Sequence, residues 1–248
     1  MSRTSVSSKI GDFRVESYGS GEPTIMAIGG LAYAPSDFSR LADHTEGTLH
    51  VVNNPVHAGA VKRTDDWQQN LREGYANVFR TLQPQYLLGH SCGSFDGVHM
   101  LDQLEGLKGL VMLAPPYGKA AMSDSSRREE FGLLDRCLST LCTDMPDDLY
   151  MSILEAHTRE YGPRIKDIFR NEVPRTDIVR DINERLLKAR SRILIVLGKL
   201  DPWNNAERAP FAAGGDFSIA SMDTSHYPHV TKPEETAEII RQWFLTAI

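Results

Sequence analysis

The run Gly89-His90-Ser91-Cys92-Gly93 sets a serine between two glycines, directly behind the apolar stretch Tyr86-Leu87-Leu88. The pattern fits a G-x-S-x-G nucleophile elbow, a sharp strand-to-helix turn that lifts the serine Oγ clear of the backbone. Gly89 and Gly93 lack a Cβ, so strand and helix can approach closely there. The N–H of Cys92, just past the serine, would point at an oxyanion. A serine hydroxyl is a weak nucleophile at neutral pH and needs an imidazole to take its proton. The imidazole in turn needs a carboxylate to fix its tautomer. Asp201 follows the apolar run Ile193-Leu194-Ile195-Val196-Leu197, and His226 stands in a loop ahead of the last helix-like segment. Gly29-Gly30-Leu31 closes another short apolar run and offers a second backbone donor. His229 is the rival base, Asp223 the rival acid, and His90, beside the serine, is read as structural.

The elements that would position these residues alternate. Strands are expected at Asp12 to Tyr18, Thr24 to Ile28, Leu49 to Val52, Tyr86 to Gly89, Gly109 to Ala114, Arg192 to Gly198 and Phe217 to Met222. A helix is expected from Pro35-Ser36 through Leu41. Another should be capped by Thr64, bury Trp67, Leu71, Tyr75, Val78, Phe79 and Leu82, and stop before Pro84. A third should run from Ser94 to Leu104. The last should open with a capping box made by Thr231 and Glu234. Strands and helices at this spacing predict an α/β fold with a mainly parallel sheet covered on both faces. Residues 119–190 show no strand pattern; apolar positions recur at helical spacing from Leu133 to Leu186, punctuated by Pro146, Pro163 and Pro174. Residues 1–118 and 191–248 are therefore expected to form the α/β core, and 119–190 an inserted set of three or four helices.

Composition bounds the partners. The chain has 248 residues, enough for one large α/β domain, with a net charge of −6 from 27 basic and 33 acidic residues and no basic stripe. That argues against a nucleic-acid partner. No apolar run approaches the ~20 residues of a membrane span, and Met1 to Lys9 is polar and serine-rich, without the apolar core of a secretory signal. Three cysteines, Cys92, Cys137 and Cys142, have no metal spacing and no even pairing. They point to a reducing compartment, hence the cytoplasm. His44, His50, His57, His99 and His157 have no ligand-like spacing, so no metal is expected, and no cofactor is expected either.

The order Ser91, Asp201, His226 resembles the α/β-hydrolase superfamily in its capped form, over nearly the whole chain from about residue 12. The resemblance rests on the Gly89–Gly93 turn, on Gly198 to Pro202, and on His226-Tyr227-Pro228 leading into Pro233-Glu234-Glu235. It implies an eight-stranded-type sheet, with residues 119–190 as a helical lid. It also implies Ser91 as nucleophile, His226 as general base, Asp201 as its orienting acid, and the backbone N–H groups of Leu31 and Cys92 as oxyanion hole. Gly30, Tyr117 and Trp203 would lie against substrate, with core packing the alternative for the two aromatics. Ile28-Gly29-Gly30 stands where the family often has His-Gly, and Asn53 to Gly59 replaces its usual acidic-arginine-glycine turn. The expected activity is hydrolysis of a small or medium carboxylic ester or thioester through an acyl-serine. The same triad serves lactone opening, carbon–carbon bond hydrolysis and acyl transfer, and the alternative class is a non-hydrolytic ligand receptor on this fold. No feature of the sequence demands a particular oligomeric state.

Overall fold

The computed structural model describes residues 1–30, 33–53, 55, 67–117, 127, 131–161, 176–189, 191–203 and 217–246. The Leu31 donor, the Thr64 cap, most of the Asn53–Gly59 turn and the helical pattern around Ile165 to Phe169 lie outside them. One sheet of eight strands organises the chain: β1 (Ser2–Ser8), β2 (Gly11–Gly19), β3 (Thr24–Ile28), β4 (Thr48–Asn53), β5 (Tyr86–His90), β6 (Gly109–Leu113), β7 (Arg192–Gly198) and β8 (Phe217–Met222), in the order β1-β2-β4-β3-β5-β6-β7-β8. β1–β2 and β2–β4 pair antiparallel, and every later pair is parallel. The antiparallel edge strand β1 has no counterpart in the sequence reading. Apart from Val6, which packs against the core, its residues are polar and mostly exposed, so it carries no apolar alternation and is held chiefly by the backbone ladder to β2.

Among the described residues the α-helices are α1 (Ser39–Ala42, continuing a 3₁₀ turn at Pro35–Phe38), α2 (Trp67–Leu82), α3 (Cys92–Met100), α4 (Leu133–Leu141), α5 (Asp147–Tyr161), α6 (Thr176–Lys188), α7 (Pro228–Thr231) and α8 (Pro233–Leu245). The central strands are apolar throughout and alternate between two cores, as strands covered on both faces must. Met26, Ile28 and Leu87 join Leu71, Tyr75, Phe79, Phe95 and Ile182 on one face. Ile25, Ala27, Tyr86 and Leu88 join Phe38, Leu41, Ile240 and Trp243 on the other.

Within residues 119–190, expected as one inserted set, the described helices join two different clusters. Ile182 and Leu186 of α6 enter the sheet core, and α6 packs on α3. A β6–helix–β7 crossover has to lay a helix on the sheet face, and the one-turn spacing of those two residues supplies its apolar stripe. Helices α4 and α5 instead build a third cluster with Trp203, Tyr227 and Val230, over the carboxyl edge of the sheet. The Thr231–Glu234 capping box is also absent: the N-cap of α8 is Lys232, with no side-chain capping bond. Tyr227 and Pro228 start a short helix of their own, so Thr231 belongs to its last turn and donates back to the Tyr227 carbonyl at 3.2 Å.

Candidate active site

β3 turns to β4 on one side while β5 lies on its other side, so the chain switches direction here. In open α/β sheets the crevice at the carboxyl ends of such strands is where ligands gather. Gly29-Gly30 leaves β3 at this edge and Ser91 leaves β5. Ser91 has φ 52° and ψ −126°, a left-handed backbone that a serine adopts only when its surroundings enforce it. Its N–H donates to the Leu113 carbonyl at 2.9 Å, and its own carbonyl accepts from Ser94 N–H at 3.0 Å. A serine at a helix start normally spends its hydroxyl on the cap. Here the side chain makes no capping bond to α3.

His226 and Asp201 arrive from the last two strand ends. The His226 Nδ1–H donates to Asp201 Oδ2 at 2.7 Å, both side chains being almost wholly buried. The other carboxylate oxygen, Oδ1, accepts from the Trp203 backbone N–H at 2.8 Å. The indole of Trp203 stands edge-on to the imidazole, 5.4 Å between centroids. Ser91, His226 and Trp203 line one cavity of about 20 Å³, with Leu134, Leu138 and Leu141 of α4 and His157 of α5 around it. No hydrogen bond joins Ser91 to His226; each borders the space between.

Gly30 touches the serine. A Cβ built on it would stand 2.6 Å from Ser91 Cβ and 3.2 Å from Ser91 Oγ. Cys92 begins α3. Trp203 is on the cavity wall, whereas Tyr117 packs in the sheet core, 5.8 Å from the ring of Phe95. Asp223 is on the surface, paired with Lys199 at 2.8 Å, which holds its carboxyl below the usual range.

The loop carrying His226 is held from three directions, none of them legible in the sequence. The His226 N–H donates to the Leu141 carbonyl at 2.9 Å, at the end of α4. The His226 carbonyl accepts from His90 Nε2–H at 2.9 Å. The Ser225 hydroxyl donates to Asp144 in the turn after α4. Arg127 clamps that turn, donating to the carbonyls of Cys142 at 2.9 Å and Met145 at 3.0 Å, with its guanidinium 4.5 Å above the Tyr150 ring. A second buried pair lies beside the cavity: His157 Nε2–H donates to Asp37 Oδ2 at 2.9 Å, joining α5 to the turn that follows β3.

Burial keeps two neighbouring histidines neutral. His90 sits well below its ordinary value, chiefly through desolvation and then through His229 and His226. His229, stacked on Phe38 at 4.7 Å, is lowered to about 4 by desolvation, and neither of its ring nitrogens has a hydrogen-bond partner. An unfolded histidine titrates near 6.5. Between there and about 4 the unfolded chain therefore binds protons that the folded chain refuses, and stability falls as pH drops through that window. His229→Phe keeps the stacked ring and removes the titration. Urea unfolding between pH 7 and 4.5 should show the variant losing less stability, by up to one proton's worth, about 1.4 kcal/mol per pH unit; parallel curves would contradict this.

Among the described residues no group of three His, Cys, Asp or Glu side chains is arranged to hold a metal ion, and no helix is long and apolar enough to cross a membrane. None of the three cysteines forms a disulfide. Burial pushes the Cys137 thiol up to about 12 and raises that of Cys142 well above the usual thiol range.

No family model and no curated protein matches the chain. Solved structures do. The naproxen esterase (carboxylesterase NP) of Bacillus subtilis aligns at 15% identity over 98% of this chain and 91% of that one, with a TM-score of 0.74. A bromoperoxidase from Bacillus anthracis aligns at 13% identity over 98% and 99%, TM-score 0.77. A meta-cleavage product hydrolase from Pseudomonas fluorescens aligns at 13% over 99% and 98%, TM-score 0.74. With the eight-stranded sheet and its switch point, these likenesses establish that the chain has the α/β-hydrolase fold.

Proposed function

We propose that the chain is a serine hydrolase acting on a small or medium carboxylic ester or thioester. One observation carries this reading: a positive-φ serine whose hydroxyl caps nothing shares a small cavity with an imidazole already bonded to a buried carboxylate. Ser91 Oγ attacks the acyl carbon as His226 Nε2 takes its proton, and Asp201 stabilises the imidazolium that forms. The tetrahedral oxyanion is met by the backbone N–H groups of Cys92 and Leu31, each donor contributing roughly 10²–10³ in rate. The imidazolium returns its proton to the leaving alcohol or thiol. A water activated by the same imidazole then frees the acid. Helices α4 and α5 serve as the lid, and substrate is a small molecule held against Gly30 and Trp203. Neighbours named as esterases support hydrolysis over the other reactions of such a trio, although neighbours of other named activities share the fold.

The test is covalent. A fluorophosphonate probe should add to the folded protein once, and peptide mapping should find the adduct on Ser91. Turnover of short- and medium-chain acyl esters and thioesters should follow. A second reading, a ligand receptor on this fold, draws on the cavity of only about 20 Å³ around Ser91, room for little more than a water. It requires silence toward both the fluorophosphonate and a smaller sulfonyl fluoride, with no release of product.

A further inference from the structure

A much larger concavity lies beside the Ser91 cavity, at the same edge of the sheet. It measures about 650 Å³ and is bounded by β1, β2, the last residue of β4, the turn Ala34-Pro35-Ser36 and helix α5. That volume suits a small-molecule ligand. Its charge is distinctive. Arg3 is neutralised by Glu16 at 3.0 Å. Arg14 comes from β2, where it stands opposite Asn53, and Arg159 comes from α5. Both line the groove, and neither has an ion-pair partner among the described residues. On a chain with net charge −6, two guanidinium groups from separate elements, without an ion-pair partner among the described residues, line one cleft.

The groove and the Ser91 cavity share a partition. Ala156 of α5 lines the groove, while the next residue, His157, lines the cavity. The turn Ala34 to Ser36 separates Gly30, which touches Ser91, from Asp37, which bonds His157. A molecule reacting at Ser91 therefore has a roomy, positively charged space beyond this partition.

We infer that the groove binds the anionic part of the substrate, so that the ester or thioester cleaved at Ser91 carries a carboxylate or phosphate-like group. Guanidinium groups match both geometrically, through paired N–H donors. A positive cleft in an acidic protein also concentrates such anions locally. This assignment rests on the hydrolase reading above and adds the substrate class to it.

The experiment compares p-nitrophenyl hemiesters of succinate, glutarate and adipate with uncharged acyl esters of equal length, and with the matching ω-phosphono esters. It uses the full chain and Arg14→Gln/Arg159→Gln. Both arginines are exposed, so the fold is not at stake. The expected result is a kcat/KM advantage of about tenfold or more for the anionic ester at one length or more. It should collapse toward unity in the double variant, and shrink in the wild type at about 0.3 M salt. The phosphono and carboxylate arms tell which anion is preferred. A ratio near unity at every length in the wild type, or one that survives the double variant, overturns the inference. Calorimetric titration with monomethyl glutarate and its phosphonate counterpart keeps the two readings apart. If no ester is turned over and Ser91 takes no probe, the hydrolase reading falls. Binding that weakens about tenfold in the double variant would still uphold the groove, and absent or unchanged binding would remove it.

Discussion

Asp201→Asn should lower kcat at neutral pH by about 10⁴ and leave the chain folded. The size of the loss follows from two hydrogen bonds pulling one carboxylate in a fixed direction. Oδ2 accepts from His226 Nδ1–H at 2.7 Å, and Oδ1 accepts from Trp203 N–H at 2.8 Å. An aspartate satisfies both donors because both of its oxygens accept. An asparagine offers one acceptor and one donor. With its oxygen toward Trp203, its amide N–H₂ faces Nδ1. The imidazole must then carry its proton on Nε2, where it can no longer receive one from Ser91. With its oxygen toward Nδ1, two N–H groups confront each other at Trp203, inside a site where an unsatisfied donor costs about 1–3 kcal/mol. The backbone N–H cannot move away without moving the wall of the cavity, so the wrong tautomer should dominate. Fluorophosphonate labelling should slow in step with turnover, since both need the same proton transfer. A variant that labels and turns over at the wild-type rate would remove Asp201 from the mechanism. Asp37, in the other buried His–Asp pair, would then be the next carboxylate to test.

The contrast between what the sequence revealed and what it hid follows the reach of each signal. The three residues of the proposed site, Ser91, Asp201 and His226, each sit at the end of an apolar run or ahead of a helix, and a local pattern marks such places even though the three are far apart in the chain. The eight-stranded sheet was legible for the same reason in its buried strands, where near-continuous apolar runs are unambiguous. β1 was invisible because a polar edge strand needs only a backbone ladder. The supports of His226 were hidden for a different reason. Ser225 meets Asp144 across 81 positions and His90 meets the His226 carbonyl across 136, and no local pattern encodes such pairings. His90 read as structural from its place beside the serine; its role as the donor that fixes the loop of His226 required the fold. Thr231 shows the reverse error: a correct capping signature overridden because Tyr227-Pro228 begins a helical turn just upstream.

Gly30→Ala should cost at least about 10² in kcat/KM and most of the fluorophosphonate reactivity, with a destabilisation of about 1–3 kcal/mol. The added methyl has nowhere to go. Its Cβ would lie 2.6 Å from Ser91 Cβ, 3.1 Å from the His90 carbonyl oxygen and 3.2 Å from Ser91 Oγ. Ser91 cannot yield by rotating its side chain, because Cβ itself is struck, and the backbone on both sides is pinned. Ser91 N–H is bonded to Leu113, its carbonyl to Ser94, and His90 closes β5. The other partner, the end of β3, is bound in parallel register to β4 and β5 through Ile28. Strain must therefore be shared between the serine and the segment that leads from Gly30 into the proposed Leu31 donor. Attack geometry and oxyanion stabilisation both depend on those two positions, so a shift of even part of an ångström degrades both at once. Gly→Ala on an open surface tests nothing of this kind, whereas here the kinetic loss should far exceed what the thermal shift alone would suggest. Equal turnover in wild type and variant would show that Gly30 and Ser91 do not meet as tightly as the geometry requires, and would loosen the link between this edge of the sheet and the reaction.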